Sequence, residues 1–319
     1  MNMKAHVLSA LFLVSIATAA PAPHINNLCG QVSRGDMPAV QHMLSMGANP
    51  NIHDAYGKLP LSTATMNGNL GIMKLLLNAG AKVDAIDGYG WSALQIAALL
   101  GNSNAIELLI RYKAQVDKRD TNSRTALMLC AMRGHHTVAE TLLKAGAKVN
   151  LTDKGGITPL MYAATAPGAG NIVTALIAAG ADTTARDNSG NTPLHHAAMA
   201  GQQAAILILQ QNCQSLENMN NEGLTPLMLA ARHGRRAAAS ALINSGAMVN
   251  TTNDSSRTAL MQAAYHGHLQ VVEELISAGA DITVKDKAKR DALIMAEEQG
   301  YRDIAETLRA ASAQATQKQ

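Results

Sequence analysis

Histidine is the residue type best suited to chemistry near neutral pH in this 319-residue chain, which holds eleven of them against three cysteines. An imidazole with an ordinary pKa near ~6.5 can move a proton, ligate a metal or gain charge under mild acid. The sequence contains no H-E-x-x-H, no G-x-S-x-G, no Walker phosphate loop and no paired C-x-x-C. No catalytic residue, no metal ligand and no cofactor is therefore assigned, and the histidines must be placed on the elements that carry them.

Those elements repeat. The stretch Asp187 to Cys213, DNSGNTPLHHAAMAGQQAAILILQQNC, returns in altered form along most of the chain. Steps of 33 from Cys213 land on Gly246 and Gly279, and one step back lands on Gly180; a step of 34 then reaches Gly146, and further steps of 33 reach Lys113, Gly80 and Gly47. A second marker keeps the same phase at Pro60, Ala93, Ala126, Pro159, Pro193, Pro226 and Ala259. Within the unit, Thr192 is placed to cap a helix starting at Pro193, whose fixed φ and missing N–H suit a first helical position. Ala197 and Ala198 allow close helix approach, and Gly201 supplies a left-handed stop. A second helix, Gln203 to about Gln211, carries Ile206, Leu207, Ile208 and Leu209. One such pair cannot bury its apolar side alone, so the copies must stack.

A 33-residue repeat carrying T-P-L-H-x-A resembles the ankyrin repeat, matched here by Asp187, Gly190, Thr192, Pro193, Leu194, His195, Ala197, Ala198 and Gly201. The resemblance covers about nine tenths of the chain and implies an all-α fold: an ankyrin-repeat solenoid of helix-turn-helix units with short β-hairpin-like turns. It implies structural roles for the motif histidine His195 and for His136 and His268 near the interhelical glycines. Asn150, Asn250 and Asn253 open N-x-S/T sequons, but the first two occupy the family's own Asn position and are read as turn residues.

Lys4 and the apolar run from about Val7 to Ala17, shorter than the ~20 residues that span a bilayer, end in Ala17-Thr18-Ala19, the pattern of a secretory signal peptide. Residues 1–19 are assigned to it and 20–311 to the repeat domain: an opening unit at 24–52 whose first helix spans Asn26 to Arg34, seven full repeats over 53–285, and a closing unit at 286–311. Residues 312–319 are read as a polar tail. The extra residue of the fifth unit falls in Thr165 to Gly170, where Pro167 and Gly168 lengthen a turn. Cys29, Cys130 and Cys213 sit about three units apart, roughly 25–30 Å at ordinary helix spacing, too far for an internal disulfide; a bridge between chains through Cys213 remains open.

Loss of Lys4 takes the net charge from +3 to +2, a balance that does not point to nucleic acid as partner. In the ankyrin pattern, the hairpin tip and the outer side of the first helix are free to serve a protein partner. The register puts Tyr56, Met66, Tyr89, Trp91, Ile96, Leu99, Leu100, Leu129, Met132 and Tyr162 on that face, with Lys58, Thr63, Arg124 and Ile157 beside them. His196, Arg232, His233, Arg257, Tyr265 and His266 occupy it in the sixth to eighth units. Five of the seven aromatic residues beyond the leader fall on this face, and such side chains anchor interfaces. The far histidines would favour an acidic partner as pH falls, while rings one unit apart, about 8–10 Å, are too distant to share a metal.

The expectation is a monomeric, non-catalytic protein-binding scaffold with no membrane insertion after leader removal, in the periplasm or secreted. It would hold or protect a resident enzyme, with oxidative-stress proteins suggested as clients by resemblance to exported bacterial ankyrin proteins, or act on a host protein as an effector.

Overall fold

A computed structural model describes residues 27–317 apart from 169 and 214. The leader, with its cleavage motif, lies outside the described residues, as do Asn26 and Ala169. Among the described residues eighteen helices run in nine consecutive pairs. The inner members are α1 (Leu28–Arg34), α3 (Pro60–Met66), α5 (Ala93–Leu100), α7 (Ala126–Arg133), α9 (Pro159–Thr165), α11 (Pro193–Ala200), α13 (Pro226–Arg232), α15 (Ala259–Tyr265) and α17 (Ala292–Glu298). The outer members are α2 (Met37–Ser45), α4 (Leu70–Asn78), α6 (Ser103–Arg111), α8 (His136–Lys144), α10 (Gly170–Ala178), α12 (Gln203–Leu209), α14 (Arg236–Asn244), α16 (Leu269–Ser277) and α18 (Arg302–Gln317).

The sequence dictates where each inner helix starts. The hydroxyls of Thr125, Thr158, Thr225 and Thr258 accept the backbone N–H three residues on, and Ser92 forms a reciprocal capping box with Gln95. Pro60, Pro159, Pro193 and Pro226 stand at the first helical position. The stop is local too: Gly201, at φ +78°, closes α11 in the left-handed region that L side chains rarely adopt. The fifth unit departs as expected, with Ala166, Pro167 and Gly168 in the turn between α9 and α10.

Each inner helix packs on the inner helices before and after it, and outer packs on outer, in sequence order. The buried seam runs through Leu94, Leu127, Leu160, Leu227 and Leu260 on the inner row and Ile72, Ile106, Val138, Ile172 and Ile206 on the outer row. The alanine pairs are fully buried, and their small volume lets the rows approach. The connecting fingers carry little sheet: among the described residues the strand pairing is an isolated antiparallel bridge between Ile86 and Ser92.

Three sequence expectations change. The opening helix begins at Leu28, not Asn26. In the motif unit, α12 ends at Leu209, short of Gln211. The segment read as a polar tail from Ser312 continues α18 to Gln317, because no glycine interrupts a run of alanine, glutamine and other good helix formers there. Among the described residues no helix is long and apolar enough to cross a membrane.

Candidate functional site

The fingers between units are built by one device used eight times. The side-chain oxygen of Asp54, Asp87, Asp120, Asp153, Asp187, Asn220, Asn253 and Asp286 accepts the backbone N–H groups two and four residues on, folding each finger over its own clamp. Neighbouring fingers are tied by backbone bonds such as Gly88 N–H to the Gly57 carbonyl and Asn188 N–H to the Gly155 carbonyl. At the first of these junctions the chains touch: a Cβ on Gly88 would lie 2.9 Å from Gly57 Cα.

On these two fingers Tyr56 is 76% exposed and Tyr89 54% exposed. Trp91 is half-buried, with the Arg124 guanidinium 5.7 Å from its ring centroid. Arg124 is held in turn by the buried carboxylate of Asp120 at 2.8 Å. Burial, opposed by the N–H groups of Trp91 and Tyr89, raises the Asp87 carboxyl above its ordinary value. The finger therefore leaves Tyr56 and Tyr89 exposed, while Trp91 bridges to the next unit through Arg124.

The inner-helix surface differs from the expectation at four residues. Ile96 and Leu99 are 4% and 6% exposed and Leu129 is fully buried; adjacent inner helices pack on one another, so these side chains belong to the core and cannot contact a partner. Thr63 is buried as well. Leu100 is exposed, while Met66 and Met132 are partly exposed. Tyr162 is half-buried and donates its hydroxyl to Asp153 at 2.6 Å; burial and that carboxylate push its pKa above the usual phenol range. His196, one unit on, bonds Asp187 in the same way at 2.9 Å. Its burial outweighs the carboxylate and lowers the imidazole pKa. Both pairs brace a finger against its own helix.

His195 takes the structural role implied for it. It is fully buried, accepts the Thr192 N–H at Nδ1 (3.1 Å) and donates from Nε2 to the Leu224 carbonyl of the next unit (3.1 Å). Burial drives its pKa down to about 4. Gln95 makes the corresponding bonds three units earlier, receiving the Ser92 N–H and donating to the carbonyls of Lys118 and Arg124. The role expected of His136 belongs to its neighbour: His135 Nε2 lies 3.2 Å from the Leu99 carbonyl, as His268 Nε2 lies 3.0 Å from that of Arg232. The amides of Asn150 and Asn250 are engaged on both sides, receiving Asp182 and Asp281 N–H and donating to the Gly180 and Gly279 carbonyls, as turn residues.

At the far end, Arg232 pairs with Glu222 at 2.6 Å, Arg257 with Asp286 at 3.3 Å, and Arg257 also lies 5.9 Å from the Tyr265 ring centroid. His233 is exposed, and His266 packs edge-on to Tyr265 at 5.1 Å and stacks on His268 at 6.4 Å. Burial, then nearby cations, lower the pKa of both His233 and His266. The charge gain expected near pH 6.5 is thus displaced to lower pH. Among the described residues no group of three or more His, Cys, Asp or Glu is placed to hold a metal ion. Cys29, Cys130 and Cys213 are all free.

Comparison with known families gives matches to the model described as ankyrin repeats (3 copies) over residues 28–120, 98–187, 160–253 and 247–319. No curated protein matches the chain.

Proposed function

The chain belongs to the ankyrin-repeat family, and on that premise we propose that it is a non-catalytic scaffold, exported to the periplasm, whose partner protein docks on the fingers of the second and third units. Ankyrin repeats generally mediate protein–protein interaction. The observation that carries the docking site is the exposure of Tyr56 and Tyr89 on two fingers locked together at Gly57 and Gly88, beside Trp91. Exposed aromatic groups on a prearranged backbone lose little freedom on binding and are frequent anchors.

Export is supported by the leader pattern of residues 1–19. In the periplasm the scaffold holds or protects a resident enzyme; release from the cell would instead make it an effector on a host protein, and fractionation separates the two. The docking site is tested by Tyr89→Ala with Trp91→Ala: retention of a partner captured by the wild-type chain should fall by at least tenfold with the helical spectrum unchanged. Unchanged retention removes the site.

A further inference from the structure

We propose that the C-terminal ends of α13 and α15, with the turns that follow them, form a docking edge for an acidic segment of a partner protein, its aspartate and glutamate side chains lying across units seven and eight. The proposal rests on the protein-binding reading above and adds the chemistry of a second contact, remote from Tyr89 and Trp91.

The edge is continuous. His268 reaches back to the carbonyl of Arg232, its ring seated over Gly234, where a Cβ would lie 2.6 Å from Nδ1. His266 stacks on the same ring at 6.4 Å. His233 and Arg235 follow in the turn after α13 and Arg236 opens α14, and all three are exposed. Cations at helix C-termini ordinarily compensate the last carbonyls, but here that task is already performed: Arg235 Nε donates to the Met199 carbonyl at 3.0 Å and His268 serves Arg232. His233 and His266 are surplus to it. The positions equivalent to them in the third and sixth units are the uncharged Leu100 and Ala200, so the fold itself does not ask for charge there.

Two acids lie close and offset part of this charge: Glu222 pairs with Arg232 and Glu274 with Arg236, which leaves Arg235 and the imidazoles His233 and His266 to carry the charge of the edge. His233 faces Arg232 and Arg235 from its own turn, His268 from the next unit and Glu222 from its own finger; His266 faces Arg232, His233, His268 and Arg257. The charges that act most on the two imidazoles are basic apart from Glu222, and the phenol ring of Tyr265 packs edge-on against His266 at 5.1 Å. Carboxylates laid across this edge would relieve that repulsion, and by linkage their binding would take up protons.

The test uses the full chain and a fluorescein-labelled peptide of ten glutamates, followed by anisotropy at low salt. Binding is expected at pH 7.5 and tightens towards pH 5.5, by at most about tenfold for each histidine whose pKa the peptide raises by one unit, the full factor being reached only well below both pKa values. His233→Glu with Arg236→Glu, both at exposed positions, should weaken binding at least tenfold while the helical spectrum is kept, since the Arg236–Glu274 pair that is lost is partly exposed and contributes little. Lys154→Glu, on the finger of unit five, should leave it unchanged. Absence of peptide binding to the wild type, a loss under threefold in the double variant, or tighter binding of an oligothymidylate of equal charge overturns the proposal. Failure here with Tyr89 and Trp91 still required for partner capture would leave the scaffold reading intact, and the converse result would separate them the other way.

Discussion

Replacing His195 by glutamine should make the solenoid resistant to mild acid without changing its stability at neutral pH. The imidazole is neutral in the fold, because Nδ1 accepts the Thr192 N–H and Nε2 donates to Leu224. Its pKa of about 4 compares with an ordinary 6.5. Below 6.5 the unfolded chain takes up the proton first, so stability is lost as pH falls from 6.5 towards 4, by about 3 kcal/mol in all. His196, His233 and His266 have lowered values too, but they are common to both proteins and cancel in the difference. The lowered carboxyls of Asp187 and Asp286 act beneath this window, since their ordinary value is 3.8. Glutamine is the chosen substitute because Gln95 already makes the same set of bonds. Urea midpoints at pH 7.5, 6.0, 5.0 and 4.5 should coincide at the first pH and diverge in favour of the variant below 6. Parallel curves for the two proteins down to pH 4.5 would refute the reasoning.

Further outcomes follow from burial and close contact. Leu129→Ala should cost about 2–5 kcal/mol of stability, read by thermal melting, and leave partner capture at permissive temperature unchanged, because the side chain is fully buried. Gly88→Ala forces a methyl to 2.9 Å from Gly57 Cα and 3.1 Å from its carbonyl oxygen; a loss of about 1–3 kcal/mol is expected, together with faster amide exchange at residue 88. With iodoacetamide at pH 8, mass spectrometry should find Cys213 modified first in the native chain, and Cys29 and Cys130 only after unfolding. Burial pushes the Cys29 thiol up to about 12 and Cys130 higher still, while Cys213 is only half-buried.

The periodic part of the fold was legible because each unit repeats the same local solution: a capping hydroxyl, proline or alanine at the first helical position, an alanine pair, and a glycine that ends the helix. The surface was less so. Ile96 and Leu129 were assigned to the groove from the face of a single helix, whereas their exposure is decided by the neighbouring inner helix. The register is mixed: the same position holds the buried Leu229 and Met295 but also the buried Thr63 and Gln262 and the half-buried Tyr162 and His196, so residue type there does not separate core from groove. His135 differed for another reason. Two histidines follow Gly134, and the register already points to the first, which stands directly after the glycine as His268 does after Gly267 and makes the same bond. The length of α18 depended on a missing stop, which composition alone describes poorly.

The finger ladder has a metric consequence. Backbone bonds from Gly88 to Gly57 and from Asn221 to Ser189 hold successive tips at a constant pitch, about 8–10 Å if the underlying helices set it. The aromatic tips of units two and three and the basic turns of units seven and eight then stand roughly 40–50 Å apart along the array. An extended peptide needs about 13 residues to cover that span. The solenoid is in this sense a ruler: a ligand shorter than this reads one end or the other, and only a longer one registers both.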